Sequence, residues 1–284
     1  MVISLVYRGY SQDSHTHCFW YNRRQTLRGL TKTLTSRLWP TYSYSKAIRN
    51  TEEKIDVEMK ESSSTGRKQN ALVYGTLVHR QISQCIMSRE VPSDAEPYVR
   101  RFFIGSLQRG LNPVATEIIV GSARHGIATR MDVLFQHSQT KQFFPGEIKT
   151  GCLSYYNCHT NSFLPSPFQS FSDSPATQHQ MQLTATRWMF EQNYPELKEQ
   201  IGGAYVIVIS GDTVQWFPQN EEIYKEADAL MTLLNVRSQP PTASKKKKRK
   251  KTPTKKKTKT KTKEMEKAKK KRKTKLYQPI LTAS

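Results

Sequence analysis

The sequence predicts an α/β fold, a central mixed sheet flanked by helices, and three observations carry that prediction. Apolar residues recur at three- and four-residue spacing before residue 110. From Glu117 to Lys149 the pattern changes to short apolar runs of strand length. It then returns to a helix, a hairpin and a last helix before Pro240 and Pro241.

Leu72, Val73, Leu77, Val78, Ile82 and Ile86 place a first helix at about Asn70 to Ser88, with Arg80 and Gln81 on its exposed face. Ser93 with Glu96 three residues on reads as a capping box, Pro97 falls in the first turn and Gly110 ends a second helix, about Asp94 to Arg109. Glu117 to Val120 and Ile127 to Phe135 are expected as strands joined by a turn at Ser122 to Gly126, and Gln142 to Lys149 as the next strand. Cys152 to Pro175, rich in Ser, Pro, Asn and Phe, reads as a long loop, which inside a compact domain tends to be functional. Ala176 to Gln192 is a third helix, Tyr205 to Ile209 and Thr213 to Phe217 a hairpin, and Asn220 to Val236 the closing helix.

Charge divides the chain. Of the formal net +22, residues 245 to 275 supply +18, from twenty Lys or Arg and two acids, Glu264 and Glu266. Residues 1 to 49 add +7, which leaves the middle of the chain slightly acidic. Three parts follow: a basic, partly disordered N-terminal arm at 1–67, a folded core at 68–237 and a disordered Lys-rich tail at 238–284. So dense a cationic block attracts a polyanion by counterion release, and Lys245, Lys246, Lys247, Lys248, Arg249 and Lys250 also fit a nuclear import signal; a solubilising tail is the plain alternative. The Arg-rich, acid-poor first 49 residues equally suit an organellar transit segment. Nuclear localisation is the first expectation, with mitochondrial, or host-nuclear for a viral protein, as the alternative. Cys18, Cys85, Cys152 and Cys158 show no CxxC spacing, which argues for a reduced compartment and against a zinc or iron–sulfur site. No apolar run approaches the roughly twenty residues of a membrane span.

Glu147, Ile148 and Lys149 close the apolar run that begins at Phe143. Acid, any residue, lysine is a cheap pattern, and Glu52 with Lys54, Glu58 with Lys60 and Glu196 with Lys198 repeat it in polar surroundings where a solvated pair explains it. Glu147 differs because it lies in a strand-like apolar segment. The strand period puts Glu147 and Lys149 on one face, and a hairpin with the preceding run brings Asp132 beside them. Two carboxylates and an ammonium at one point suit a divalent cation and a phosphate, hence hydrolysis of a phosphodiester.

Gly75 with His79, Gly126 before Asp132, Glu147 with Lys149, and Gln182 on the next helix together resemble the PD-(D/E)XK nuclease superfamily. The likeness is to its RecB-like exonuclease branch, which includes mitochondrial genome maintenance exonucleases and viral and phage recombination nucleases, and it covers about Leu72 to Phe217. It implies a restriction-endonuclease-like core. It further implies that Asp132 and Glu147 are metal-binding acids, that the carbonyl of Ile148 is an additional ligand and that His79 approaches the metal, while Lys149 is the catalytic lysine. Mg²⁺ or Mn²⁺ is the implied cofactor, and DNA, with RNA as a second possibility, the implied substrate. Exonuclease action in recombination, repair or replication is expected, with a recombinase, helicase or single-strand-binding partner. Glu117 matches an acid at the start of the family's first strand, in a supporting role. The family's glutamine falls among Gln178, Gln180 and Gln182, of which Gln182 fits best, although Thr186 stands where an aromatic is usual and Trp188 is only near. The structural alternatives are a histidine satisfied at a helix–sheet contact and glutamines on a helix surface. A protein that keeps the fold to bind or package nucleic acid without cutting it is the competing function.

Overall fold

The computed structural model describes residues 9–13, 18–39, 71–151, 153–156 and 161–236. They form an α/β fold around a mixed sheet of eight strands: β1 (Tyr10–Gln12), β2 (Phe19–Tyr21), β3 (Gln25–Gly29), β4 (Leu111–Ser122), β5 (Ile127–His137), β6 (Phe143–Thr150), β7 (Tyr205–Ser210) and β8 (Thr213–Pro218). Its helices are α1 (Leu30–Leu38), α2 (Ala71–Ser88), α3 (Pro97–Gln108), the short α4 (Leu153–Tyr156), α5 (Pro175–Asn193), α6 (Glu221–Lys225) and α7 (Ala227–Leu234), with a 3₁₀ turn at Pro195–Gln200.

Strand order runs β1-β2-β3-β5-β6-β7-β8, and β4 lines the other edge of β5 along its whole length. The remaining edge of β5 is therefore shared. Ile127 and Ala128 pair in parallel with β3, whereas Val133 to Gln136 pair antiparallel with β6. Between them, Thr129 to Asp132 have no strand neighbour on that edge, and the sheet opens there. β7, Tyr-Val-Ile-Val-Ile-Ser, is buried on both faces and pairs in parallel with β6, as its unbroken apolar run requires of a central strand.

Helices cover both faces. Leu30, Leu34, Met181, Met189, Phe190 and Leu230 bring α1, α5 and α7 onto the face that carries Val120, Met131 and Leu134. Tyr74, Val78, Ile82, Val99 and Phe102 bring α2 and α3 onto the face that carries Val133, Phe135, Ile148 and Ile207. Alternation along β5 feeds both layers, Leu134 to one and Val133 and Phe135 to the other.

Several boundaries differ from the sequence reading. Residues expected as a basic arm belong to the fold: β1 to β3 extend the sheet, and Leu30, Leu34 and Leu38 of α1 are almost wholly buried in the main core. The arm escapes detection because its strands are only three to five residues long, although the spacing of Leu30, Leu34 and Leu38 is a helical signal. α3 starts at Pro97 with Glu96 as N-cap and no side-chain cap bond, so Ser93 and Glu96 do not form the expected capping box. Ser174, two residues ahead of the expected third helix, caps α5 by accepting from the Thr177 N–H. The closing helix is broken at Glu226 into α6 and α7. Within 152–175, Leu164 and Phe168 are core residues, so that loop is partly built into the fold. The Lys-rich tail, Cys152 and Cys158 lie outside the described residues.

Candidate active site

Where β5 and β6 part, the carboxylate of Asp132 takes over from the strand ladder, Oδ2 accepting from the Ile148 N–H at 2.7 Å. The N–H and C=O of one strand residue leave by the same edge, so the carbonyl of Ile148 also faces the opening, as a ligand role needs. On β5, the Asp132 carbonyl accepts from the Thr116 hydroxyl at 2.7 Å. The other Asp132 oxygen lies 3.4 Å from His79 Nδ1. Helix α2 delivers His79 at that distance because Gly75, one turn earlier, lies against β6: a Cβ there would sit 2.8 Å from Thr150 Oγ1.

Glu147 and Lys149 point away from Ile148, toward α5. Lys149 Nζ donates to Glu147 Oε1 at 2.7 Å and to Gln182 Oε1 at 3.0 Å. Gln182 Nε2 donates to the same Glu147 oxygen at 2.5 Å, which closes a three-residue ring. Glu147 is 3% exposed, and its second oxygen, Oε2, is buried without a hydrogen-bond partner. Burial first, and then the charge of Asp132, push the Glu147 carboxyl up to about 7. Burial would raise Asp132 too, but His79, Lys149 and the Ile148 N–H together hold it below its usual range. His79 is raised because Asp132 and Glu147 outweigh the desolvation that opposes its charge.

His79, Glu117, Glu147, Ile148 and Lys149 line a cleft of about 700 Å³ that Arg80 and Arg130 also border. Of the residues read from the sequence, His79, Asp132, Glu147, Ile148, Lys149 and Gln182 are brought together. The three glutamines are sorted by α5: Gln182 faces the site, while Gln180 ties the end of β8 to α6, donating to the Pro218 carbonyl and accepting from the Asn220 N–H. Trp188 is elsewhere, donating to Asp228. Lys245 to Lys250 lie outside the described residues.

A grouping of potential ligand atoms among the described residues differs from the expected set. Nitrogen or oxygen atoms of His79, Glu117 and Asp132 lie within 4.8 Å of one another. On β4, Glu117 lies between Thr116, paired with Val133, and Ile118, paired with Met131, and adopts φ +57°, a left-handed conformation that costs a non-glycine residue on the order of 1 kcal/mol. Arg130, two residues before Asp132 on the same strand face, escapes the sequence reading although strand alternation puts it there. His179, one turn before Gln182, has a buried, unpartnered Nδ1 and a ring stacked on Tyr156 at 5.5 Å. Burial and then the Lys149 charge keep it neutral.

The donors fit a hard divalent cation: carboxylate oxygens, one imidazole nitrogen, and the orphaned Oε2 of Glu147, which has no protein hydrogen to satisfy it. No protein-family model matches the chain, and no curated protein matches it. A solved structure described as "Crystal structure of SSO0001" is similar at a TM-score of 0.29 and 14% identity, over 73% of this chain and 76% of that one. A likeness that slight carries no argument about function.

Proposed function

We propose that the chain is a metal-dependent nuclease of the PD-(D/E)XK type that hydrolyses phosphodiester bonds in DNA. The observation that supports it best is the ring of Glu147, Lys149 and Gln182 close to Asp132 and His79, with Glu147, Lys149 and His79 lining a cleft. Asp132, Glu147 and the Ile148 carbonyl, with His79, would hold Mg²⁺ or Mn²⁺, which supplies a polarised phosphate oxygen and an acidified water when bound.

The protein groups divide the remaining work. Lys149 spends two of its three N–H donors on Glu147 and Gln182, and the third is left to orient the attacking water or to offset charge growing on the phosphate. Gln182 fixes that ammonium and keeps one Glu147 oxygen occupied, so Oε2 is the oxygen presented to the cation. Arg80 and Arg130 place positive charge where a nucleic-acid backbone would run. The Lys-rich tail would add affinity without sequence preference, and an exonuclease serving recombination, repair or replication accords with such retention.

Labelled single- and double-stranded DNA incubated with Mg²⁺, with EDTA, and with Asp132→Ala protein tests the reading. Cleavage is expected only for the wild-type protein with Mg²⁺, and substrates blocked at the 5′ or 3′ end then report polarity. DNA binding with no cleavage in any lane would make the chain a non-catalytic binding protein.

A further inference from the structure

Arg130 and Glu117 form a close contact at the cleft to which the nuclease reading gives no role. Arg130 Nε lies 2.5 Å from Glu117 Oε2, yet that oxygen has no partner in hydrogen-bond alignment. The two residues are diagonal neighbours across β4 and β5, since Arg130 is paired with Ile119. Glu117 is the strained member, and its carboxylate shares a 4.8 Å grouping with His79 and Asp132. Strain that aims a carboxylate into a cluster of ligands is retained where that aim is used. Arg130, by contrast, is 47% exposed and borders the cleft, so its planar fork can leave Glu117 at little cost.

We propose that Glu117 is a cation-binding residue of this centre and that Arg130 is its stand-in: Arg130 neutralises Glu117 while the centre is empty and turns to a substrate phosphate once Glu117 is engaged. The inference rests on the nuclease reading and deepens it, because it couples cation uptake to the grip on the substrate. The guanidinium competes with the cation for one carboxylate, then serves as a bidentate phosphate donor a few ångströms away. Two sites of opposite demand are thereby served by one charge.

Mn²⁺ binding to the full chain without DNA, measured by calorimetry or by electron paramagnetic resonance, tests it independently of cleavage. Arg130→Gln should tighten Mn²⁺ about three- to tenfold, since it removes a competing positive charge in a partly solvated site. Glu117→Gln should weaken it roughly tenfold or more. In the double variant the gain from Arg130→Gln should vanish, which a merely structural arginine would not produce. For an oligonucleotide bound in Ca²⁺, Arg130→Gln should also lower the salt slope of log K by about 0.7 to 0.9, the loss of one phosphate contact. Unchanged Mn²⁺ affinity in Arg130→Gln, or a gain that persists in the Glu117→Gln background, overturns the proposal alone if the wild-type protein binds Mn²⁺ and cuts DNA. A wild-type protein that does neither removes the nuclease reading and this proposal together.

Discussion

Asp132 accepts the Ile148 N–H at 2.7 Å, one residue beyond Val133 and two beyond Gly146, the end pair of the β5–β6 ladder. One side chain thus continues the sheet's hydrogen bonding at the point where its strands separate. Its other oxygen is turned to His79, so the same residue closes the fold and opens the site.

Lys149→Ala should lower kcat at least ~100-fold while DNA affinity changes less than threefold, because the ammonium is held by two protein groups and offers the substrate a single donor. Steady-state kinetics alongside fluorescence anisotropy in Ca²⁺ separates the two effects. Equal loss in both would place Lys149 in binding rather than in the chemical step.

Two glutamines one half-turn apart should behave differently. Gln182→Ala should cost rate, since it frees both Glu147 and Lys149, whereas Gln180→Ala should leave kcat nearly unchanged and cost about 1–3 kcal/mol of stability through the lost Pro218 and Asn220 bonds. Parallel assays and urea melts of both variants check it. Normal turnover in Gln182→Ala would remove that side chain from the site's function.

Glu147 makes the cation-free protein sensitive to pH. Its carboxyl is raised from an ordinary 4.5 to about 7, so the folded state holds a proton that the unfolded chain gives up, and the stability this confers is full below about 4.5 and lost as pH rises through 7. In EDTA, the melting temperature of the wild-type protein should therefore fall relative to Glu147→Gln between pH 5 and 7, by roughly 3 °C or more. Mn²⁺ should reverse the trend, since a bound cation favours the ionised form. Parallel melting curves for the two proteins in EDTA would count against a raised carboxyl.

Leu34→Ala should destabilise the whole domain by about 2–5 kcal/mol, as for a core leucine, because Leu34 is fully buried among residues of α5, α7 and the sheet. Chemical denaturation measures this. A loss under ~0.5 kcal/mol would mean that residues 9–39 are dispensable to the core.

Local features were legible in the order of the residues. Period and punctuation located α2, β5, β6, α5 and the β7–β8 hairpin close to their ends, since Leu, Val and Ile at 3.6 or 2 residues report a face that must be buried. Strand alternation placed Glu147 and Lys149 together and Asp132 across from them, and those three meet as expected. Packing across the domain settled what depends on long-range placement. It chose Gln182 over Gln180, because α5 rotates one toward Lys149 and the other toward β8. It drew the N-terminal strands into the sheet through a parallel pairing of β3 with β5, a contact about a hundred residues apart that no window of sequence contains. It also turned Glu117 into the cluster by a left-handed backbone that no glycine announced, and set Arg130 against it. Side-chain periodicity is written in neighbouring residues, whereas the meeting of two strands or of a charge pair is settled by packing across the whole domain.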